Sequence, residues 1–462
     1  MNRELTKMKT TRFVAVATAA VLATLFTRDA SAAGFALDVQ SGRGTGMAGA
    51  TTAMTDDSSA IYYNAAGIAQ GKGVDAQIGI TPIIASFNYK SPAGDKTDLK
   101  FNVVPPINAY GSFGITDDLS IGVGVFTPYG LTIKWPDGWV GRQLITQASL
   151  QTFYLNPTVA YKIGPLRIGA GLQVVRATVE LQQDIRFGNQ DGSADLGASA
   201  WGVGGNVGVQ LEAIKQYLSL GVQYRSAAKL DFEGDGHFSN VPGALRGAIH
   251  DQSVSTSIVL PDQLSMGVAT RPTKKLVIDF DAVWIQWSYI RSLDIHFPND
   301  ATGSLDKHLA KNWHDTVNFH LGAEGELSDN WLLRGGILFD PSPAQENTLT
   351  PDIPDSTRVN FAIGGTWKHE SGVHVDVGYQ FILLTGKTST VPQLPGDYGG
   401  FANLLGVSIG YDTVHKKAAS ENLPSGDLTP PPPPEATPAT PAPTAPVTPE
   451  AVPPQTPAAP PP

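Results

Sequence analysis

The sequence predicts an all-β fold, a transmembrane antiparallel β-barrel of about fourteen strands. The connections are the first observation. Tight polar turns at Thr116-Asp117-Asp118, Gly164-Pro165, Ala213-Ile214-Lys215, Arg271 to Lys275, Ser328-Asp329-Asn330 and His369 to Gly372 each sit between two runs of alternating hydrophobicity. The connections between those pairs are longer, spanning roughly Lys90–Asp98, Pro128–Ala148, Phe187–Gly197, Phe232–His250, Pro298–Lys311, Pro341–Pro354 and Leu384–Gly400. Short turns at one end and long loops at the other are the signature of an outer-membrane barrel. The strands are the second observation. In Val373 to Phe381 every odd position is apolar and every even one polar or Gly. Side chains alternate faces along a strand, so one face suits hydrocarbon and the other a wet or packed lumen. Val317 to Glu324, Leu276 to Trp284 and Leu405 to Tyr411 repeat the pattern. A soluble all-β protein with one solvated face would alternate too, but it has no reason to sort its loops by length.

The third observation is the N-terminus. Arg3, Lys7, Lys9 and Arg12 precede the apolar run Phe13–Phe26 and the small residues Ala30-Ser31-Ala32. Residues 1–32 therefore read as a secretory signal peptide, excluded from the fold. No later stretch approaches the ~18 consecutive apolar residues of a membrane-spanning helix. The chain has no cysteine, so disulfide and thiol chemistry are excluded. Formal net charge is −10, and residues 1–32 hold five Lys/Arg against two Asp/Glu, leaving the remainder near −13. That balance argues against nucleic acid as a partner.

Three regions follow the signal. Residues 33–72 are rich in Gly, Ala, Ser and Thr, with little strand pattern. Residues 73–414 hold the strands. Residues 415–462 form a tail with close to half of the chain's 35 prolines, which cannot bury a core and favours extended polyproline II. It reads as a tether or as a contact for the periplasm or cell wall. The 49 glycines suit a barrel, since Gly on an inward face leaves lumen space and permits bulges. One strand shifts phase. Leu166, Ile168, Ala170, Leu172 and Val174 are apolar at even positions, whereas Ala177, Val179 and Leu181 are apolar at odd ones. A β-bulge near Val175 is the expectation, with Arg176 and Glu180 facing the lumen beyond it.

Family resemblance rests on an ordered set of segments. Gly34 to Leu37, Gly42 to Ala50 and Asp56 to Gly67 are similar to the N-terminal hatch of the FadL family of outer-membrane long-chain fatty acid and hydrocarbon transporters. Gly122 to Leu131, Trp135-Pro136, Trp139 to Arg142, Asn156 to Tyr161, Leu260-Pro261-Asp262, Trp284 with Trp287-Ser288, Trp331 with Arg334-Gly335-Gly336, and Pro341-Ser342-Pro343 resemble it in type and order. The resemblance implies a fourteen-stranded barrel whose lumen is plugged by residues 33–72, with Phe35 at the substrate and Asn64 and Gly67 in the hatch. It also implies capture among outer loops, an internal pocket, and lateral exit where the third strand kinks inward. Two departures stand out. The family's Asn-Pro-Ala is here Asn64-Ala65-Ala66, and Tyr411 on the last strand is followed by the tail.

A fatty acid needs an apolar conduit and a cation for its carboxylate. The loop after the third strand offers Trp135, Trp139, Leu144 and Ile145 with Lys134 and Arg142, although its tryptophans also suit an interfacial aromatic belt. Arg176 is a second carboxylate candidate, or a structural partner of Glu180. Pro128 lacks a donor and must interrupt a ladder, so Phe126, Pro128, Tyr129 and Gly130 are the expected lateral gate, or simply a strand end. Nothing points to catalysis. The nine histidines lack metal-ligand spacing and Gly-x-Ser-x-Gly is absent, so neither metal nor cofactor is expected. An outer-membrane lipase would need a Ser and a His brought together by the fold.

The expected function is passive transport of hydrophobic molecules, foremost long-chain fatty acids, across the outer membrane of a Gram-negative bacterium. Alternatives are an aromatic-hydrocarbon transporter and a structural or adhesive outer-membrane protein. Expected surroundings are outer-membrane lipid and lipopolysaccharide, with the protein a monomer.

Overall fold

The structure is a computed structural model that describes residues 34–300 and 302–413. The signal peptide and the Pro-rich tail lie outside the described residues. Fourteen antiparallel staves close on themselves, several of them broken once or twice along their length. They are β1 (Gly73–Ile80 and Ile83–Lys90), β2 (Lys96–Asp98, Val103–Val104 and Ile107–Gly114), β3 (Leu119–Phe126 and Gly130–Lys134), β4 (Gln147–Ile163), β5 (Leu166–Phe187), β6 (Gln190–Ile214) and β7 (Leu218–Arg225 and Ala228–Ser239). Then come β8 (Gln252–Leu260 and Gln263–Thr273), β9 (Leu276–Ile285 and Ser292–His296), β10 (Lys307–Ala310 and Thr316–Ser328), β11 (Trp331–Asp340), β12 (Arg358–Lys368), β13 (Val373–Ser389) and β14 (Gly396–Asp412). The seam is the antiparallel pairing of β1 with β14, from Asp75 opposite Asp412 to Ile80 opposite Val407.

Alternation delivers what the sequence implied. On β13, Val377, Tyr379 and Leu383 are exposed on the outer face, while Asp376, Gly378 and Gln380 are buried on the inner one. Ile121, Val159, Ile168, Val207, Phe280, Ile363 and Ile409 continue the outer apolar belt around the ring. Such a belt is stable only in hydrocarbon.

Two expectations need correction. The connection Phe187–Gly197 is not a loop, because β5 and β6 run on as a hairpin that turns at Gly188-Asn189, and the expected loop Phe232–His250 begins only after β7 ends at Ser239. Nor does β5 bulge at Val175. Its pairing with β6 holds one register from Leu166 opposite Leu211 to Phe187 opposite Gln190. Odd positions stay inward throughout: Gln173, Val175 and Ala177 are each 0% exposed. What changes is the surroundings. Below Val174 the outward residues meet the apolar belt, whereas above it Arg176, Thr178 and Glu180 stand above the belt and the inward ones pack against outer segments. The phase shift therefore marks where the strand leaves hydrocarbon. Above that level β5 to β10 continue as one sheet outside the ring.

Residues 34–72 pack inside the ring as short helices α1 (Gly42–Gly46) and α2 (Ala60–Tyr63) and a 3-10 turn (Ala65–Ile68). The expected lumen space is thus filled. Inward glycines let this segment's backbone touch the wall. A β-carbon at Gly378 would stand 2.5 Å from both the Gly42 carbonyl oxygen and the Gly46 nitrogen. Wall side chains satisfy the segment's polar groups: Asp281 accepts from the Thr51 and Thr52 N–H groups at 2.8 and 2.9 Å, and Gln210 donates to the Thr55 carbonyl at 3.0 Å. An ionic network fastens α1. Arg43 pairs with Asp56, Asp57 and Glu324 at 2.7, 2.8 and 3.0 Å, and Arg334 joins Glu324 to Asp376 at 2.5 and 3.1 Å. Since these contacts leave no room at the wall, Gly378→Val should destabilise the packed segment by about 1–3 kcal/mol of overpacking. The expected result is faster proteolysis within residues 34–72 while the barrel stays resistant.

Asn64 and Ala65 explain one departure noted above. Asn64 Nδ2 donates to the Thr52 and Val209 carbonyls at 2.9 and 3.0 Å, and its Oδ1 accepts from Ala66 N–H. Ala65 N–H donates to Gln223 Oε1 at 3.2 Å, a bond that proline could not make. Gly67 leaves no space for a side chain, because a β-carbon there would lie 2.3 Å from the Thr55 carbonyl oxygen.

Candidate functional site

Pro128 sets the local geometry. Phe126 faces Tyr154 on β4 and Gly130 faces Gln151, so β3 carries one residue more than β4 over this interval. The stave leaves its ladder at Thr127–Tyr129 and turns toward the N-terminal segment, which pairs with it instead. Ala36 bridges Tyr129, Leu37 N–H donates to the Pro128 carbonyl at 2.9 Å, and Gly130 N–H donates to the Phe35 carbonyl at 3.0 Å. Gln40 completes the clamp, donating to the Thr127 carbonyl at 2.7 Å and accepting from Thr127 N–H at 3.1 Å. On its other side β3 parts from β2. Their ladder ends at Ala109 opposite Val125, and beyond it the bond from Lys100 N–H to the Lys134 carbonyl, 2.8 Å, joins them again.

Behind this parting lies an apolar cavity that opens in part to solvent. Phe35, Leu37, Ile83, Phe87, Val104, Leu131, Ile382 and Leu404 supply its walls. Three cations reach its lining. Lys100 pairs with Asp137 at 2.7 Å, and Arg358 donates to the Gly34 carbonyl at 2.6 Å and faces Asp355 at 3.7 Å. Lys134 has no carboxylate within 4.0 Å among the described residues. In the loop after β11, burial pushes the Asp355 carboxyl up to about 6 against the pull of Arg358 and a hydrogen bond from Ser342.

The expected site residues separate into groups. Phe35 and Lys134 line the cavity, and Phe35 also meets Trp287 edge-on at 5.0 Å. Trp135, Trp139, Leu144 and Ile145 come together but form the core of the outer loop. Trp135 and Trp139 stack at 4.3 Å, and their indole N–H groups donate to the Pro351 and Ile145 carbonyls. Arg142 ties this loop to the β5–β6 hairpin through Asp184 and Asp191, at 3.4 and 3.7 Å. Two placements are corrected. Arg176, expected in the lumen, stands on the outward face, its guanidinium over the Trp201 ring at 5.2 Å, because β5 has no bulge to turn it inward. Phe126 and Tyr129, expected to line an opening toward lipid, point inward and are fully buried. Phe126 stacks on Tyr110 and Tyr154, and Tyr129 O–H donates to the Pro261 carbonyl at 3.1 Å. Pro128 and Gly130 sit at the parting itself. Gln40 and Arg358 were not anticipated; both act across long sequence separations and carry no local signature.

Strands closed into a ring around their own N-terminus, wrapped by an apolar belt, define an outer-membrane β-barrel. A family model described as "Outer membrane protein transport protein (OMPP1/FadL/TodX)" matches residues 23–412, and the chain belongs to that family. The long-chain fatty acid transport protein of Escherichia coli K12 is 26% identical over 440 residues, covering 85% of this chain and 97% of that protein. Outer membrane protein P1 of Haemophilus influenzae is 25% identical over 405 residues, covering 76% and 86%. Among solved structures, a Pseudomonas aeruginosa FadL homologue shares the fold with a TM-score of 0.74 at 17% identity, covering 82% of this chain and all of that one. The P. putida toluene transporter TodX does so at 0.68 and 17%, covering 83% and 99%.

Proposed function

We propose that this protein carries hydrophobic molecules, foremost long-chain fatty acids, passively across the outer membrane. The observation that carries the reading is an apolar cavity with an unpaired cation, Lys134, on its lining. An alkyl chain is stabilised by roughly 25 cal/mol per Å² of apolar surface withdrawn from water, and an ammonium on the lining suits a carboxylate. The lysine favours acids over hydrocarbons. Residues 34–72 act as the hatch that closes the lumen below, and Phe35–Leu37 partition the cavity from the interior. Exit is lateral, through the parting of β2 and β3 beside Pro128, so the ligand never crosses a hydrated layer. The chain has no nucleotide-binding loop, so flux follows the gradient of the ligand.

The test is binding of oleate, oleyl alcohol and toluene to the purified protein and to Lys134→Gln. The variant should weaken oleate by about 1–3 kcal/mol, the worth of a charge-assisted pair, and leave the alcohol unchanged. Equal losses for acid and alcohol would remove Lys134 from the site. Toluene binding without oleate binding would turn the reading to an aromatic-hydrocarbon transporter.

A further inference from the structure

The outward face of β4 to β6 changes character over three successive rows of cross-strand neighbours. In the lowest row Leu155, Val174 and Val203 stand side by side in the apolar belt. In the next, Phe153, Arg176 and Trp201 are aligned in the same register. Above them come Gln151, Thr178 and Ser199, with no large apolar side chain among them. Residues two apart on a strand are separated by about 6.6 Å, so hydrocarbon gives way to water within two rows. The boundary on this side of the barrel runs through Arg176.

Arg176 is positioned there without being neutralised. Its guanidinium lies over the Trp201 ring at 5.2 Å, and its Nη1 donates to the Ala200 carbonyl at 3.2 Å. No carboxylate lies within 4.0 Å of it among the described residues, although the chain carries a formal charge of −10. Lys229, an outward cation on β7, is by contrast paired with Asp231 at 2.8 Å. On the side of β7 to β9 the rim carries an acid, Asp262, which accepts from the Tyr224 and Tyr289 hydroxyls at 2.6 and 3.0 Å. An anion at the membrane surface is therefore drawn to β4–β6 and repelled from β7–β9.

A guanidinium offers five N–H donors in a planar fork that matches phosphate, and the Ala200 carbonyl takes one of them. The anions present at this level of a bilayer are lipid head groups. Phe153 and Trp201, 42% and 67% exposed, add apolar surface on either side of the cation, as aromatic residues do where head groups meet acyl chains.

We propose that the row Phe153, Arg176 and Trp201 is a docking site for a phosphorylated glycolipid of the outer leaflet. Its phosphate sits on Arg176, and the first methylenes of an acyl chain lie against Trp201, Val203 and Leu155. The site is on the outside of the barrel and does not depend on what the cavity carries. A lipid held there fixes the foot of the β5–β6 hairpin at the membrane surface.

The experiment is native mass spectrometry of the full-length barrel in detergent with bisphosphorylated lipid A, dephosphorylated lipid A and inorganic phosphate. Wild type should hold the bisphosphorylated lipid about tenfold or more tightly than the dephosphorylated one, as one charge-assisted pair implies. Arg176→Gln should abolish that preference, and Arg176→Lys should keep part of it, since an ammonium supplies charge without the fork. Glu180→Gln, two rows higher on the same strand, should leave it unchanged. Heat-modifiability on unheated gels checks the fold of each variant, and Arg176→Met takes the place of the Gln variant should that one fail to insert. Equal retention of the two lipids by wild type, or a preference that survives loss of the cation, would overturn the site. Displacement of the lipid by millimolar inorganic phosphate would overturn the lipid as its occupant in favour of a free anion.

Discussion

Deleting residues 34–72 converts the closed barrel into an ion-conducting pore. A ring of about fourteen strands is too wide for wall side chains alone to fill, and small inward residues widen it further. Gly378 and its counterparts on neighbouring staves contribute no side chain to the lumen, and the hatch backbone stands where side chains would be. Planar-bilayer recordings should therefore show steady conductance from the deleted protein and near silence from the intact one. Arg43→Met should lie between them. It removes the cation that Asp57 shares with Glu324, although Glu324 keeps Arg334, so a partly loosened segment and brief openings are expected. A deleted barrel as silent as the intact one would show that the outer loops, not the hatch, seal the lumen.

Tethering the partition to the kink stops transport. Ala36 and Tyr129 face each other where two backbone bonds flank them without joining them, the antiparallel pairing with the closest Cα approach and one that suits a disulfide. The chain has no cysteine, so Ala36→Cys with Tyr129→Cys introduces a single possible bridge. Oxidised, the double variant should bind oleate in the outer cavity yet take none up, and reduction should restore uptake to the level of the single variants. Those singles correct for the bond from Tyr129 to the Pro261 carbonyl that the substitution removes. Full-rate uptake by the oxidised protein would mean that the ligand leaves without moving the N-terminus.

The sequence is most legible where one environment acts on one strand. On β13, hydrocarbon outside and a polar hatch inside impose strict alternation, and every odd residue from Val373 to Phe381 reports it. Pro128 was readable because a missing donor is a local fact. The hairpin between Phe187 and Gly197 was not, since water bathes it above the belt and Gln190 to Gly197 lack apolar alternation. The same change of surroundings misplaced Arg176. The cavity was the least legible part. Its lining comes from the hatch, from staves at both ends of the chain and from the segment before β12, and no spacing encodes their meeting.

The height of the β5–β6 hairpin determines what the cell's surroundings touch first. Its arms hold 22 and 25 residues. At about 3.3 Å per residue they measure roughly 70 and 80 Å along their axes, against an apolar band only ~25 Å tall. Even tilted, most of the hairpin stands proud of the bilayer, and the mouth of the cavity lies well below its tip. A large particle approaching from outside would meet this polar sheet before it reached the cavity. Its foot is not independent of the site below, since Arg142 ties the hairpin to the loop that follows β3.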